Sequence, residues 1–305
     1  MDDGRWRDPE WLVTVRDWID SRLDELAVTR TGPPAQPHVA PWSTVLRVPT
    51  DHGDVWFKAT TGSLRHEAAL VRRIAARRPD VVPPLLAAET DAGWMLMADA
   101  GQTLRVVTQR EQSLDRWHAV LPLYAGVQLD LAGDVDELLA LGVPDRRLAT
   151  LPAAYERLVH EVGAERRFRD AAPMVADLCD ELAGYGLPEL LQHDDLHDGQ
   201  VFVRAGRHLV LDWGDACVSH PFFTLSVTLE GGIAWGLADV AGSVDTASFR
   251  DAYLTPYAER FDGDLVAATR VALRLGWVCR AVNGHVPGDE QRTATRLRMF
   301  LDGRP

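Results

Sequence analysis

Helical periodicity runs through most of the chain after about residue 111, and residues 188–213 interrupt it. Within that stretch the apolar runs VFV and HLVLDW flank RAGR, which is typical of a β-hairpin. The first hundred residues are instead rich in short strand-like runs. This order predicts an α+β protein with two lobes, a small β-rich one and a large helical one. The two lobes would enclose a cleft, where ligands commonly bind.

The β-rich part contains two helical stretches and several strand-like ones. Apolar residues recur on one face of residues 9–27, which predicts a helix. Four prolines in residues 31–42 argue against regular structure there. The runs STVLRVPT and DVWFKAT around DHG predict a hairpin. A second helix is expected over about 63–78, with Ser63 as its N-cap and Pro79 as its stop.

A short buried strand is predicted for WMLMA, residues 94–98, and DAGQTL after it resembles a connector. The chain of 305 residues is long enough for one large or two medium domains. We therefore expect an N-terminal lobe over residues 1–98 and a C-terminal lobe over residues 99–305.

Charge is distributed unevenly along the chain. Of the acidic and basic side chains, 14 and 12 lie in residues 1–98, and 31 and 20 lie in residues 99–305. The acidic C-terminal part should attract cations, and it makes nucleic acid an unfavourable partner. The sequence does not predict an oligomeric state.

The location of the protein follows from several absences. No run of 18 apolar residues predicts a membrane span, and MDDGRWRDPEW has no signal-peptide pattern. The three cysteines, Cys179, Cys217 and Cys279, are widely spaced, which argues against a disulfide framework or a Cys-based zinc site. We expect a cytoplasmic protein.

Lys58 is the only lysine in a chain with 31 arginines, and it lies in the strand-like run VWFKAT. An exposed strand edge would accept arginine equally well. A compact ammonium differs from a planar guanidinium chiefly in a tight site, for example against phosphate. The choice of lysine therefore favours a specific role over a solvated edge position.

Glu67 shares a helix face with Leu70, Val71 and Ile74. A carboxylate on an apolar face needs a partner, and Lys58 is a candidate. The alternative is that Glu67 lies in the first turn, where a negative charge suits the helix dipole.

The richest polar segment is QHDDLHDGQVFVRAGRHLVLDWGD, residues 192–215. A hairpin would bring Asp195, Gln200 and Asp212 to the same end, and such oxygen ligands suit a hard cation such as Mg²⁺. The alternative is a polar hairpin with capping aspartates. Five acidic residues and three histidines are a high density for that alternative.

The pattern His193-x-Asp195-x-x-x-x-Gln200, followed by Asp212-Trp213-Gly214, resembles the catalytic and metal loops of the protein-kinase-like fold. The motif HDDLHDGQ…LDWGD resembles more closely the small-molecule branch of that fold, which is the aminoglycoside phosphotransferase family and its choline-kinase-like relatives. The resemblance extends from Lys58 to Asp215.

The resemblance implies an ATP- and Mg²⁺-dependent small-molecule kinase that transfers the γ-phosphate to a hydroxyl group. It implies that Lys58 holds the α/β-phosphates and pairs with Glu67, and that backbone groups of residues 97–101, with Met95, Met97 and Asp99, form the nucleotide site. It implies that Asp195 accepts or orients the hydroxyl proton and that His193 and His197 support the loop. It also implies that Gln200 and Asp212 bind Mg²⁺.

The acceptor is expected to be a small cationic molecule such as an aminoglycoside-type antibiotic, with antibiotic resistance as one biological role. Asp215, Glu230 and Asp239 are weak candidates for contacts with it; ordinary surface acids are the alternative.

The sequence departs from the family pattern at several positions. Gln200 replaces the usual asparagine, Asp198 stands where proline is common, and no G-x-G-x-x-G precedes Lys58. Two other functions stay open. One is a catalytically weak or inactive nucleotide-binding protein. The other is a metal-dependent phosphohydrolase whose ion is held by His193, Asp194 or Asp195, and His197.

Overall fold

The computed structural model describes residues 4–303. These residues form two compact units. The first comprises residues 4–102 and Phe202–Gly214, and the second comprises Thr103–Val201 and residues 215–303. The hairpin of residues 202–214, which the sequence assigned to the C-terminal lobe, is part of the first unit.

The first unit is an antiparallel sheet with two helices. A 3-10 helix, Gly4–Arg7, precedes them. The elements are α1 (Pro9–Glu25), β1 (Ala35–Ala40), β2 (Ser43–Thr50), β3 (Gly53–Thr60), α2 (Glu67–Arg77), β4 (Leu85–Glu89) and β5 (Trp94–Ala98). The strands lie in the order β1-β2-β3-β5-β4.

The core of this unit forms because α1 and the sheet each present an apolar face. Trp18 on α1 contacts Phe57 on β3 and Trp94 on β5, with each pair of ring centroids 5.8 Å apart and the rings at steep angles. Aromatic pairs favour such edge-to-face packing. Residues Val15, Ile19 and Leu23 of α1 are buried at the same core, as the periodicity predicted.

Two local predictions were wrong. Residues Ala35–Ala40 form a strand despite Pro37, because β1 lies at the edge of the sheet and its register shifts between Ala35 and His38. Edge strands and bulges tolerate proline because a missing N–H does not break an interior ladder. Ser63 does not cap α2, since Gly62–Leu64 forms a separate 3-10 turn and the helix begins at Glu67.

The second unit is mostly helical. In chain order the elements after β5 are β6 (Gln102–Thr103), α3 (Leu104–Glu111), α4 (Trp117–Asp130), α5 (Val135–Ala140), α6 (Leu151–Glu161), α7 (Arg166–Asp170), α8 (Ala172–Ala183), β7 (Leu190–Gln192), β8 (Val201–Arg204), β9 (Arg207–Val210), β10 (Cys217–Ser219), α9 (Ala247–Ala258), α10 (Leu265–Asn283) and α11 (Glu290–Asp302). Strands β8 and β9 form the hairpin that belongs mainly to the first unit. Strands β7 and β10 pair antiparallel, and neither was predicted. Among the described residues, no helix is both long enough and apolar enough to cross a membrane.

A buried amide joins α4 to the elements around it. The Gln128 Nε2 group donates to the carbonyl oxygens of Leu191, at 3.0 Å, and Pro221, at 3.2 Å. Its Oε1 accepts from the hydroxyls of Tyr253, at 2.6 Å, and Tyr257, at 3.1 Å. Because every polar group of this amide has a partner, the network orders the core without the cost of an unmade hydrogen bond.

Ser226 and the Phe223 carbonyl approach helix α10 closely at Gly276. A Cβ atom at this position would lie 2.0 Å from Ser226 Oγ and 2.7 Å from the carbonyl oxygen of Phe223. Ser226 begins a π-helix, Ser226–Gly232, and its hydroxyl donates to the carbonyl of Leu273 at 2.8 Å. The absence of a side chain at Gly276 therefore allows the π-helix to pack against α10.

We expect Gly276→Ala to lower the free energy of unfolding by about 1–3 kcal/mol, because the new methyl group overpacks a site bounded by the Ser226 side chain and the Phe223 carbonyl. Urea unfolding followed by circular dichroism would measure the change. Gly133→Ala is the matched control, since a Cβ there meets no atom within 4 Å. Equal stability of the two variants would contradict this account of α10 packing.

Candidate active site

Lys58 lies at the centre of a three-residue ion cluster in the first unit. Its Nζ atom is 2.6 Å from Glu67 Oε1 and 2.6 Å from Asp212 Oδ1. The side chains of Lys58, Glu67 and Asp212 are 12%, 1% and 49% exposed. Strand β3, helix α2 and the segment after β9 thus each supply one member.

The electrostatics of this cluster depend on both carboxylates. Burial would lower the pKa of the Lys58 ammonium, but Asp212 and Glu67 outweigh it and raise the pKa above its usual value. Glu67 lies among buried apolar residues of α2, so its charge depends on Lys58 for compensation. Asp212 has a φ of 62°, in the left-handed region, which residues other than Gly, Asn and Asp rarely adopt.

The segment after β5 is also held inside the first unit. Asp99 accepts hydrogen bonds from Trp56 Nε1, at 3.0 Å, and from the backbone N–H of Gly101, at 3.0 Å. Its carbonyl accepts from Arg204. Met97 pairs with Trp56 across the sheet and is buried, as is Met95 opposite Lys58.

The segment of residues 193–200 follows β7 in the second unit, and buried groups anchor its start. The backbone N–H of His193 donates to the Tyr124 hydroxyl at 2.8 Å, and His193 is fully buried. Asp194 accepts from Gln192 Nε2 at 2.9 Å and from Asn283 Nδ2 at 3.0 Å. Burial raises the pKa of Asp194 to about 6.

Arg280 on α10 holds three carboxylates. Its guanidinium lies 3.4 Å from Asp194 Oδ2, 2.9 Å from Asp195 Oδ1 and 3.1 Å from Asp215 Oδ2, and its side chain is 7% exposed. Burial would lower the pKa of Arg280, but Asp215, Asp194 and Asp195 raise it above its usual value. The orientation of the Asp195 carboxylate is therefore fixed through one of its two oxygens.

Arg280 was missed by the sequence analysis. It lies 85 positions from Asp195 in the chain, and no short motif connects the two. A signal was nevertheless available, because Arg280 follows the apolar run Trp277, Val278, Cys279 within a helix. A charged residue on such a face is rarely buried without a partner.

The imidazole of His197 is oriented by its neighbours. The backbone N–H of Gly199 donates to His197 Nδ1 at 3.0 Å, which assigns the proton of the neutral ring to Nε2. That Nε2 lies 3.9 Å from Asp195 Oδ2. Gly199 is required here, because a Cβ would approach His197 Cε1 to 2.7 Å.

Asp198 is tied to α3 by Arg105. The Arg105 side chain donates to Asp198 Oδ1 from Nε at 3.0 Å and from Nη2 at 2.7 Å. The Arg105 backbone N–H also donates to the Asp198 carbonyl at 3.0 Å. Burial would raise the pKa of Asp198, but the Arg105 guanidinium holds it down at about 2. Gln200, the last residue before β8, donates its backbone N–H to the His197 carbonyl at 2.9 Å.

A cavity of about 500 Å³ opens beside this segment within the second unit. His197, Asp198, Arg105 and Asp239 line it together with apolar side chains. The π-helix Ser226–Gly232 contributes Val227, Gly231 and Gly232 to its wall. Such π-helical turns occur frequently at functional sites.

The three weakly predicted acceptor contacts differ in their surroundings. Asp215 is bonded to Arg280, and Glu230 Oε2 accepts from Trp277 Nε1 at 2.6 Å. Asp239 is exposed and lines the cavity. Of the three, Asp239 is therefore the one whose side chain lines the cavity.

Residues 4–303 contain one group of three His, Cys, Asp or Glu side chains whose ligand atoms lie within 4.8 Å of one another, formed by Asp194, Cys217 and Cys279. Asp194 is already bonded to Arg280 and Asn283, so this group is poorly suited to an ion. The set proposed for a phosphohydrolase, which includes His193 and His197, is not such a group in the described part of the chain.

Comparison with solved structures identifies the fold. One neighbour is a ternary complex of APH(2″)-IIa with streptomycin and ATP, at 12% identity and a TM-score of 0.60, covering 96% of this chain and 98% of that chain. Another is the ethanolamine kinase of Plasmodium vivax, at 10% identity and a TM-score of 0.62, covering 96% of this chain and 89% of that chain. A third is the macrolide 2′-phosphotransferase MphH of Brachybacterium faecium, at 16% identity and a TM-score of 0.56, covering 92% of this chain and 97% of that chain. The predicted α+β, protein-kinase-like fold is confirmed.

No curated protein matches the chain in sequence. The model of the phosphotransferase enzyme family (APH) matches residues 12–268. This match confirms the predicted enzyme class, a small-molecule phosphotransferase. With the family model spanning most of its length, the chain belongs to the phosphotransferase enzyme family that includes the aminoglycoside phosphotransferases.

Proposed function

We propose that this chain is an ATP- and Mg²⁺-dependent O-phosphotransferase that transfers the γ-phosphate to a hydroxyl group of a small cationic molecule. The observation that carries the proposal is the convergence of Lys58, Glu67 and Asp212 from three separate segments. A lysine that is both buried and fixed between carboxylates is pre-organised to contact phosphate oxygens.

The β-rich lobe of residues 1–98 is the nucleotide-binding part of this proposal, and residues 99–305 carry the catalytic loop and the acceptor site. The backbone after β5, which Asp99 stabilises through Trp56 and Gly101, would bind the adenine edge. Met95 and Met97 would line the base pocket. ATP in the neighbouring APH(2″)-IIa complex supports this choice of nucleotide.

The donor set fits a magnesium ion. Asp212 offers a half-exposed carboxylate and Gln200 an amide oxygen, and both are the hard oxygen donors that Mg²⁺ prefers. Bound Mg²⁺ neutralises charge on the phosphates during transfer. Lys58 would leave part of its contact with Asp212 to hold the α/β-phosphates, while Glu67 keeps the ammonium in place.

Asp195 would act on the acceptor hydroxyl. Arg280 holds its Oδ1, so Oδ2 is the atom that would accept the hydroxyl proton or orient the hydroxyl for attack. His193, whose backbone N–H is bonded to the Tyr124 hydroxyl, would support the segment. Phosphoryl transfer depends mainly on such positioning, which makes a rigidly held carboxylate more useful than a strongly basic one.

The acidic charge of residues 99–305 supports a cationic acceptor. If the acceptor is an antibiotic, phosphorylation would give resistance to it. The three cysteines are free thiols, in keeping with a cytoplasmic enzyme.

Lys58→Arg should lower kcat/KM for ATP despite the unchanged charge, because a planar fork cannot occupy the same point between Glu67 and Asp212. A misplacement of about 1 Å costs about 100-fold in rate. Initial rates of ADP release at varied ATP would measure the loss. Arg47→Lys, on the exposed side of the neighbouring strand, is the control and should be silent. Unchanged kinetics of Lys58→Arg would refute the role assigned to the single lysine.

Asp195→Asn should lower kcat by about 10²–10⁴-fold, because the amide keeps the shape of the carboxylate but cannot accept the proton. Binding of ATP, measured by titration calorimetry, should be retained. Asp91→Asn, an exposed acid in the turn between β4 and β5, is the matched control. Turnover retained in Asp195→Asn would remove Asp195 from the reaction.

Gln200→Asn tests the departure from the family pattern. If Gln200 is a working ligand, shortening it withdraws the amide oxygen and raises the Mg²⁺ concentration needed for half-maximal rate. Rates across a Mg²⁺ titration would measure this shift, with Gln291→Asn on the exposed face of α11 as control. Activity that appears only in Gln200→Asn would instead support the weak or inactive nucleotide-binding alternative.

A further inference from the structure

The cavity of the second unit has an unusual balance of charge for a site that would bind a polycation. Its charged lining residues are Arg105, Asp198 and Asp239, and the imidazole of His197 completes its polar side. Two acids and one arginine leave a formal charge of −1. A ligand with several ammonium groups would bring more positive charge than this lining can neutralise.

Arg105 accounts for this low charge. Its two side-chain hydrogen bonds go to Asp198 Oδ1, so the charge of that carboxylate is already compensated. Asp239 is exposed, and Arg105 attracts its charge at longer range, whereas the side-chain hydrogen bonds of Arg105 go to Asp198. One carboxylate is therefore available to an incoming cation.

The rest of the wall is apolar. Leu114, Trp117, Val227, Ile233, Trp235 and Leu237 contribute to it. Trp235 is fixed through a hydrogen bond from its Nε1 to the Glu230 carbonyl at 3.0 Å, and Gln109 Nε2 donates to the Leu237 carbonyl at 2.9 Å. Aromatic and aliphatic surface of this kind favours an apolar body over a fully hydroxylated one.

We propose that this cavity selects, as phosphate acceptor, an amphiphilic alcohol that carries one cationic group and an apolar portion, in preference to a polycation. The ammonium pairs with Asp239, the apolar portion packs against the tryptophans, and the hydroxyl is presented beside His197. The role of this ligand as phosphate acceptor rests on the phosphotransferase function proposed above, whereas the ligand class follows from the cavity alone.

Four probes separate charge from apolar surface. N-octylglucamine carries one ammonium, several hydroxyls and an apolar tail; N-octanoyl-N-methylglucamine has the tail without the charge; N-methylglucamine has the charge without the tail; kanamycin is a polycation. Each is titrated into the full-length, nucleotide-free protein by calorimetry, below micelle-forming concentrations. N-octylglucamine should bind most tightly, and removing its charge should weaken binding about fivefold, the value of one partly exposed ion pair.

Two variants test the charges that the argument names. Asp239→Asn should abolish the difference between N-octylglucamine and its neutral counterpart. Arg105→Gln releases the charge of Asp198 and should strengthen the binding of kanamycin. Asp262→Asn, an exposed acid outside the cavity lining, is the control and should change neither.

The proposal is overturned if kanamycin binds wild-type protein more tightly than N-octylglucamine, if N-octylglucamine shows no saturable binding, or if Asp239→Asn leaves its preference intact. Release of ADP from MgATP, measured in parallel, separates this result from the proposed function. The expected binding order without turnover would reject the kinase and keep the ligand class. Turnover of kanamycin without amphiphile binding would support the kinase and reject the ligand class.

Discussion

The contact of Lys58 with Glu67 and Asp212 is the interaction on which the first unit depends. Glu67 is buried on an apolar helix face, and removing one partner of a buried ion pair costs about 3–5 kcal/mol. A cation at the same place therefore stabilises this buried carboxylate. Because the cation lies on β3 and Asp212 follows β9, one ammonium connects the sheet, α2 and the hairpin of residues 202–214.

The second unit uses the same physical device with the other basic side chain. Arg280 contacts three carboxylates, and its planar group of five donors suits several partners better than an ammonium would. Lys58 contacts two, and its compact ammonium lies between them. Arg280 thus holds three carboxylates together in the second unit, and Lys58 holds two together in the first.

The sequence predicted the parts of this arrangement that lie close together in the chain. Helical spacing placed Glu67 on an apolar face, where a carboxylate needs a partner, and Lys58 in the preceding strand-like run was a candidate. Arg280 and Arg105 could not be found in this way, since each meets its partner only through tertiary packing over more than 80 residues. Strand β1 was missed because Pro37 disfavours regular structure locally, whereas an edge position removes that objection.

The measurement that tests the central claim most directly is ³¹P NMR of MgATP turnover by the full-length protein with amino-alcohol, amino-sugar and amphiphilic amine acceptors. The account predicts a new phosphomonoester resonance that forms together with ADP and is absent with Asp195→Asn. Formation of inorganic phosphate alone would contradict transfer to an acceptor and favour a phosphohydrolase. ATP left unchanged with every acceptor would contradict the proposed activity.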